Sequence, residues 1–466
     1  MDRCALMRAT LAGFCLTMGS GHVSAQPARY VAGALIELND NGAWSWFMDE
    51  RAVVLGDLLI VGSVRSVGPF AAGESDPNGG NLEVSTYNLS SGTVRKTVLH
   101  PHFEQDDHDS PALLVLPGKR ILALYSKHGQ DRQILSRFSE PGDPLTWGPP
   151  RVFEPPGRTG APFKADNITY NNLFRLSSGR IYNFYRGIHL DPNWLFSDDE
   201  GRTWRYGGHL LRGKGGYSPY LRYAFDGEHT IHFVATEDHP RDFDNSLYHG
   251  FLRDGRIHSS DGKALGPASK GVEAHLATWD LTQVFAGDPD NVAWIDDVKL
   301  DQQGRPHLLF SVKKNGRDTR GKGGMDLRFH HGRWDGRVWQ TREIAHAGTR
   351  LYPGEDDYTG LAVFDRNHLD VAYISTNADP ATGRPLISGA DNRRHHELYQ
   401  GSTADSGTTW RWEPITANSV MDNLRPIVPS WHDPRTILVW MRGAYRNNRG
   451  EWTTSVVATV LPSRSR

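Results

Sequence analysis

Cysteine is almost absent from this chain of 466 residues: Cys4 and Cys15 are the only two, both near the start. The residues around them read as a secretory leader. Arg3 and Arg8 give a positive beginning, LAGFCLTMG a short apolar core, and Val23-Ser24-Ala25 a small-residue cleavage site. The expected mature chain runs from Gln26 and is secreted or periplasmic. Cys15 follows Phe14 rather than a small residue, which favours release over lipid anchoring. A chain so processed has no thiol, which excludes disulfides, cysteine metal sites and cysteine nucleophiles. Long apolar runs are missing too, so no membrane span is expected. Nor does charge of one sign dominate: without residues 1–25, 50 basic face 53 acidic side chains, a formal charge of −3. No overall field then draws in a polyanion, and any grip on an acidic partner must be local. Phosphate-cradling glycine loops, basic nucleic-acid stripes and heptads are absent, so nucleic acid is not an expected partner.

What the sequence does have is a repeat. The stretch DDHDSPALLVLPGKRILALYSKHG, residues 106–129, reads as two apolar strands joined by a turn at Pro117-Gly118-Lys119. The same pattern occurs as AVVLGDLLIVGSV from Ala52, ITYNNLFRLSSGRIYNFYRG from Ile168, and YLRYAFDGEHTIHFVAT from Tyr220. Three more copies start at Val292, Gly360 and Leu424. Seven hairpins at a spacing of roughly sixty residues predict a radial array. The expected fold is all-β: a seven-bladed β-propeller of four-stranded antiparallel blades, residues 26–466 forming one catalytic domain. Ring closure hides long sheet edges, and VVATVL near the C-terminus is the candidate partner of an N-terminal strand. SDDEGRTW (197–204) and TADSGTTW (403–410) match the Asp-box pattern S-x-D-x-G-x-T-W, a structural turn, and WDGRVW (334–339) reads as a decayed copy.

Function enters through the ends of two hairpins. His108 and His128 lie almost equally far from their turn, as do Tyr170 and Arg186 from the turn at Ser177-Ser178-Gly179. Antiparallel pairing should set each pair face to face at an open end. Blades of one orientation would then gather all four side chains on one face of the disc, where a pocket can form.

Those segments, with AWSWFMDERAVV and HPRDFDNSLYHG, resemble the secreted seven-bladed propeller polysaccharide lyases, including ulvan lyases and lyases acting at rhamnose–glucuronate linkages. The likeness runs from about Ala43 to the end of the chain and is densest between Asp106 and Gly250. It departs from the group at the turn, where LPGKR replaces the more usual P-D-G-R. The resemblance implies β-elimination on an acidic polysaccharide, with His108, His128, Tyr170 and Arg186 catalytic and Arg241 and His249 binding substrate.

The residue types suit that chemistry. A uronate C5 proton is weakly acidic, and removing it piles charge beside a carboxylate, so a cation must face that carboxylate. Arg186 offers a planar fork for it, and His108 a hydrogen bond. Tyr170 could take the proton if Arg186 favours its phenolate, and His128 could protonate the leaving O4. Whether base and acid are one residue or two is open. Trp44 and Trp46 could stack on sugar, though core packing is favoured. No cofactor is required; a structural calcium or zinc site among Asp106, Asp107, Asp109, Asp356, Asp357, His395 and His396 has no diagnostic spacing. A monomer is expected. A rhamnosidase or sialidase-like hydrolase on the same scaffold and a carbohydrate-binding propeller without activity are the alternatives.

Overall fold

The computed structural model describes residues 30–68, 75–157, 166–214, 219–268, 270–315 and 322–463. The leader, with both cysteines and the expected cleavage site, lies outside them. Seven antiparallel sheets follow one another along the chain. We number these blades 1 to 7: residues 52–100, 112–147, 169–209, 221–267, 291–348, 362–414, and 422–461 with 36–39. Each of the seven sequence hairpins supplies the first and second strands of one blade. First strands of neighbouring blades pack against one another, which identifies them as the strands lining the axis.

Ring closure is by mixed ends. Ile36–Asn39 is the outermost strand of blade 7, beside the chain's last strand, with Ile36 opposite Ala458 and Asn39 opposite Val456. Each blade is sandwiched between two others, so both faces of the inner strands are covered and their sequences are continuous apolar runs. Two blades exceed four strands. Arg151–Phe153 adds to the third strand of blade 2. In blade 4, Ala264–Pro267 extends the edge and Thr282–Phe285 pairs with Leu247–Arg253.

Both Asp-boxes join third and fourth strands. Asp199 accepts from the Thr203 amide and hydroxyl, and Ser197 Oγ accepts from the Gly201 amide. Thr403, Asp405, Gly407 and Thr409 make the same bonds. Gly201 (φ 85°) and Gly407 (φ 88°) need left-handed backbone, which glycine adopts without strain. A Cβ on either would also strike the preceding blade, Leu122 at 2.7 Å and His331 at 2.1 Å respectively. WDGRVW occupies the matching turn of blade 5, where Asp335 accepts from the amides of Arg337 and Val338.

The segment 43–48, AWSWFM, crosses the axis as a buried plug. Trp46 stacks on Tyr358 (5.4 Å, 6°) and donates its Nε1–H to the Thr359 carbonyl. Phe47 meets Tyr220 and Trp294 edge-on at 4.5 and 4.8 Å. Both tryptophans are core residues, 1–2 % exposed, and so cannot stack on sugar.

Candidate active site

The open ends of hairpins 2 and 3 meet over the plug. A short turn, Asp107–Asp109, precedes the first strand of blade 2 and carries His108; His128 follows the second strand, Arg120–Tyr125. Their imidazoles stack with centroids 3.8 Å apart and planes 15° from parallel. Blade 3 contributes Tyr170, whose ring lies 5.1 Å from His108, and Arg186, whose Nη2 is 3.1 Å from His128 Nε2. The guanidinium carbon stands 4.9 Å over the Tyr170 ring. The four residues that the hairpin symmetry selected are therefore in mutual contact.

Tyr170 reaches this position through a bulge. Thr169 pairs with Arg186 and Asn172 with Phe184, leaving two residues opposite one, and Tyr170 takes φ 62°. For an aromatic residue such backbone costs about 1–3 kcal/mol and persists only where the surroundings fix it. Three asparagines do so. Asn172 bonds the Tyr170 carbonyl, Asn183 accepts from the Asn172 amide and donates to Asn171, and Asn171 donates to Ser126. Sequence reasoning read the NN of ITYNNLF as strand and missed this scaffold. Its only signal was a pair of polar residues where alternation calls for one.

Asp106 is the other participant not singled out for the chemistry. Its Oδ1 accepts from the His108 amide and from His108 Nδ1 at 2.6 Å, and its Oδ2 from His128 Nδ1 at 2.7 Å. Burial would raise the Asp106 pKa, but the two imidazoles outweigh it and hold the carboxyl far below the usual range. Burial also opposes the charge on His108, yet Asp106 and Asp107 lift its pKa to about 9. His128 goes the other way: burial, then His108 and Arg186, push it down to about 4 despite Asp106. The same carboxylate thus sits between two rings driven in opposite directions.

The surroundings of Tyr170 disfavour the expected phenolate. Burial, then Tyr220, drive the Tyr170 pKa well above 10, and Arg186 offsets only part of this. His249 is also not in the cluster. It sits on the third strand of blade 4, 0 % exposed, with Nε2 against His232 Nδ1 (3.1 Å) and Nδ1 against Ser260 Oγ (2.8 Å). A ring so enclosed cannot touch a sugar, and its role is packing. Arg241 lies nearer, within electrostatic reach of Tyr220, whose ring is edge-on to Tyr170 at 5.9 Å. It is ion-paired with Glu355.

Among the described residues, Asp106, His108 and His128 are the one group of acids and histidines close enough to share a metal ion, their ligand atoms lying within 4.8 Å. The hydrogen bonds above already account for those atoms. Asp356 pairs with Arg350, Asp357 with Lys313, His395 with Asp391, and His396 faces Asp422. A larger axial cavity of about 560 Å³ lies further along the inner strands, beyond the plug, lined by Arg51, Arg222, Arg425, Asp49 and Asp296. The small recess beside Tyr170, Arg186 and Tyr220 belongs to the cluster.

Fold and site together define an Asp-box propeller with a His–His–Tyr–Arg centre on one face. The chain belongs to the BNR repeat-containing family, whose signature matches residues 75–347, over half its length. Among solved structures it is similar to a PL25 ulvan lyase bound to -[GlcA(1-4)Rha3S]-, with TM-score 0.61 and 15 % identity over 92 % of this chain and 97 % of that one. The polysaccharide lyase Uly1 is also similar, with TM-score 0.58 and 12 % identity over 93 % and 100 %. At such identity these likenesses establish the shared propeller. No curated protein sequence matches the chain.

Proposed function

We propose that this protein is a polysaccharide lyase that cleaves rhamnose–uronate linkages of an acidic polysaccharide such as ulvan by β-elimination. The observation that carries the reading is the contact of the Arg186 guanidinium, the His108 and His128 imidazoles and the Tyr170 phenol in one cluster. Arg186 and His108 receive the uronate carboxylate and stabilise the charge that spreads onto it when C5 loses its proton. His128 and Tyr170 exchange protons with C5 and with the departing O4. Solved propellers of the same architecture that are ulvan lyases support the substrate class. A hydrolase would want two carboxyl groups free to act on the sugar, whereas both Asp106 oxygens are bound to histidines. Secretion after loss of residues 1–25, a single catalytic domain and a monomeric state complete the proposal. So does Arg241 holding a neighbouring sugar or sulfate.

The test is incubation of the purified protein with ulvan and other uronate polymers while following ultraviolet absorbance. A conjugated unsaturated uronate absorbs and a hydrolytic product does not. Growth of absorbance with new reducing ends is the expected result. Reducing ends without absorbance would mean hydrolysis, and neither signal would leave only sugar binding.

A further inference from the structure

We propose that Asp106 is a positioning residue that makes the two stacked imidazoles unequal, leaving His128 Nε2 as the proton acceptor and Tyr170 as the proton donor. The inference rests on the lyase reading for its chemistry, but its structural half stands alone.

The tautomer follows from which groups can donate. A carboxylate only accepts, so the 2.7 Å contact from Asp106 Oδ2 puts a proton on His128 Nδ1. A guanidinium only donates, so the 3.1 Å contact from Arg186 Nη2 puts a lone pair on His128 Nε2. Between them these neighbours specify one neutral tautomer. On His108 the same carboxylate takes a proton from Nδ1, with Asp107 Oδ1 a second acceptor at 3.0 Å. Asp107 is itself held by the Tyr445 hydroxyl at 2.6 Å. Two rings at 3.8 Å cannot both carry charge cheaply, and the second carboxylate beside His108 decides which one does. The depressed pKa of His128 and raised pKa of His108 agree with this division. Other charged groups facing the pair do not reverse it: Glu104 binds the His128 amide, and Asp109 is buried against Glu104.

A substrate carboxylate entering the cluster is a better partner for Arg186 than a neutral imidazole. It draws the guanidinium off and frees the Nε2 lone pair. The C5–H bond then breaks toward His128 Nε2, the electron pair forms the C4–C5 double bond, and the C4–O4 bond breaks. O4 takes the Tyr170 hydroxyl proton. The products are an unsaturated uronate and a new hydroxyl end. His128 is left protonated and Tyr170 as phenolate, and solvent resets both.

Asp106→Asn is the discriminating variant. An amide presents one accepting oxygen and one donating nitrogen, so only one ring can keep its Nδ1–H bond and the other must turn over. The primary measurement is long-range ¹H–¹⁵N correlation on the full protein with ¹⁵N-labelled histidine, signals assigned through His128→Gln and His108→Gln. The wild type should show His128 with one protonated and one unprotonated nitrogen from pH 6 to 8 (about the range where a free ring titrates), and His108 with both protonated. In Asp106→Asn that inequality should vanish, and kcat on ulvan should fall by roughly 10²–10⁴-fold with KM nearly unchanged. Its alkaline limb should move toward neutrality. A wild-type His128 protonated on Nε2 overturns the proposal, and needs no folded variant to observe. So does an Asp106→Asn protein that keeps both the inequality and its rate. If the wild type eliminates nothing from any uronate polymer yet shows the stated tautomers, the lyase reading falls and the role of Asp106 in dividing the rings remains.

Discussion

The histidine pair at the mouth of blade 2 contrasts with the histidine pairs inside blades 4 and 5, and the contrast separates chemistry from packing. His108 and His128 stack at the mouth of blade 2 with a carboxylate between them. His232 and His249, on adjacent strands inside blade 4, touch Nδ1 to Nε2 at 3.1 Å and share no acid. His307 and His331 repeat that diagonal arrangement in blade 5 at 3.2 Å. In the internal pairs burial pushes every ring down, His232 and His307 to about 4 and His331 to about 3. Each then hydrogen-bonds as a neutral group. In the pair with Asp106 the two rings are instead driven in opposite directions, His108 up and His128 down. A carboxylate at the right place, more than the presence of two imidazoles, marks the site.

The sharpest break of the comparison comes from removing what only the first pair has around it. Arg186→Met should cost about 10²–10³-fold in kcat on ulvan, the scale for losing one preorganised group from developing charge. Tyr170→Phe should remove a proton donor and cost roughly 10²–10⁴-fold, with circular dichroism unchanged. Full activity in Tyr170→Phe would take the phenol out of the mechanism.

The pH profile of kcat/KM tests the division of the two rings without mutation. His128 must be neutral to act, so activity should rise through its pKa of about 4. His108 must be charged, so activity should fall through about 9. A profile centred on an ordinary histidine, with one limb near ~6.5, would mean the rings are equivalent. The same shift touches stability with a definite sign. The folded pKa of His108 lies above its unfolded value, so its contribution is full below ~6.5 and is lost as pH rises through about 9.

How much of this was legible follows from the physics of each element. The inner hairpins showed themselves because strands buried on both faces read as dense apolar runs ended by Gly, Pro and Ser turns, as in ALLVLPGKRILALY. Counting from those turns brought His108 to His128 and Tyr170 to Arg186, since antiparallel register is set by the turn. Register says nothing of protonation. The burial of Tyr170, which opposes the phenolate, comes with a bulge that no alternation pattern displays. His249 was misplaced for a related reason. HPRDFDNSLYHG reads as a polar loop, but LYHG is the start of a central strand, where alternation turns the imidazole into the blade. Asp106 stood in plain view within DDHD, and only coordinates show which of four neighbouring polar groups reaches two rings.

A smaller effect sharpens the other side of the comparison. His249→Phe should leave kcat on ulvan unchanged and lower stability by about 1–3 kcal/mol, the cost of stranding the buried His232 and the half-buried Ser260. The acid limb of stability should report the same rings. His232, His249, His307 and His331 have folded pKa values below the unfolded one, so their stabilisation is complete above ~6.5 and drains as pH falls toward about 4. Thermal melts of His232→Phe/His249→Phe should show a flatter decline over that interval than wild type. A loss of kcat in the folded His249 variant would return this residue to the site.

The smallest effect belongs to the Asp-boxes, and it concerns whether repeats with identical bonds are energetically alike. Asp199 and Asp405 each accept from a threonine amide and hydroxyl, and hydrogen bonds hold both carboxyls below the ordinary range, Asp405 at about 2. Both lie at exposed turns, where solvent replaces much of what is lost, so alanine should lower the melting temperature only slightly at either position. Their surroundings differ in one respect: Gly201 leans on apolar Leu122 and Gly407 on the ring of His331. Loosening the turn at 405 should therefore admit water to a buried histidine, raise its pKa toward the unfolded value, and make the acid decline of the Asp405→Ala protein flatter than that of Asp199→Ala. Melts at neutral and mildly acidic pH decide it. Equal slopes would show that the turn, and not the neighbour it leans on, sets the contribution of each box.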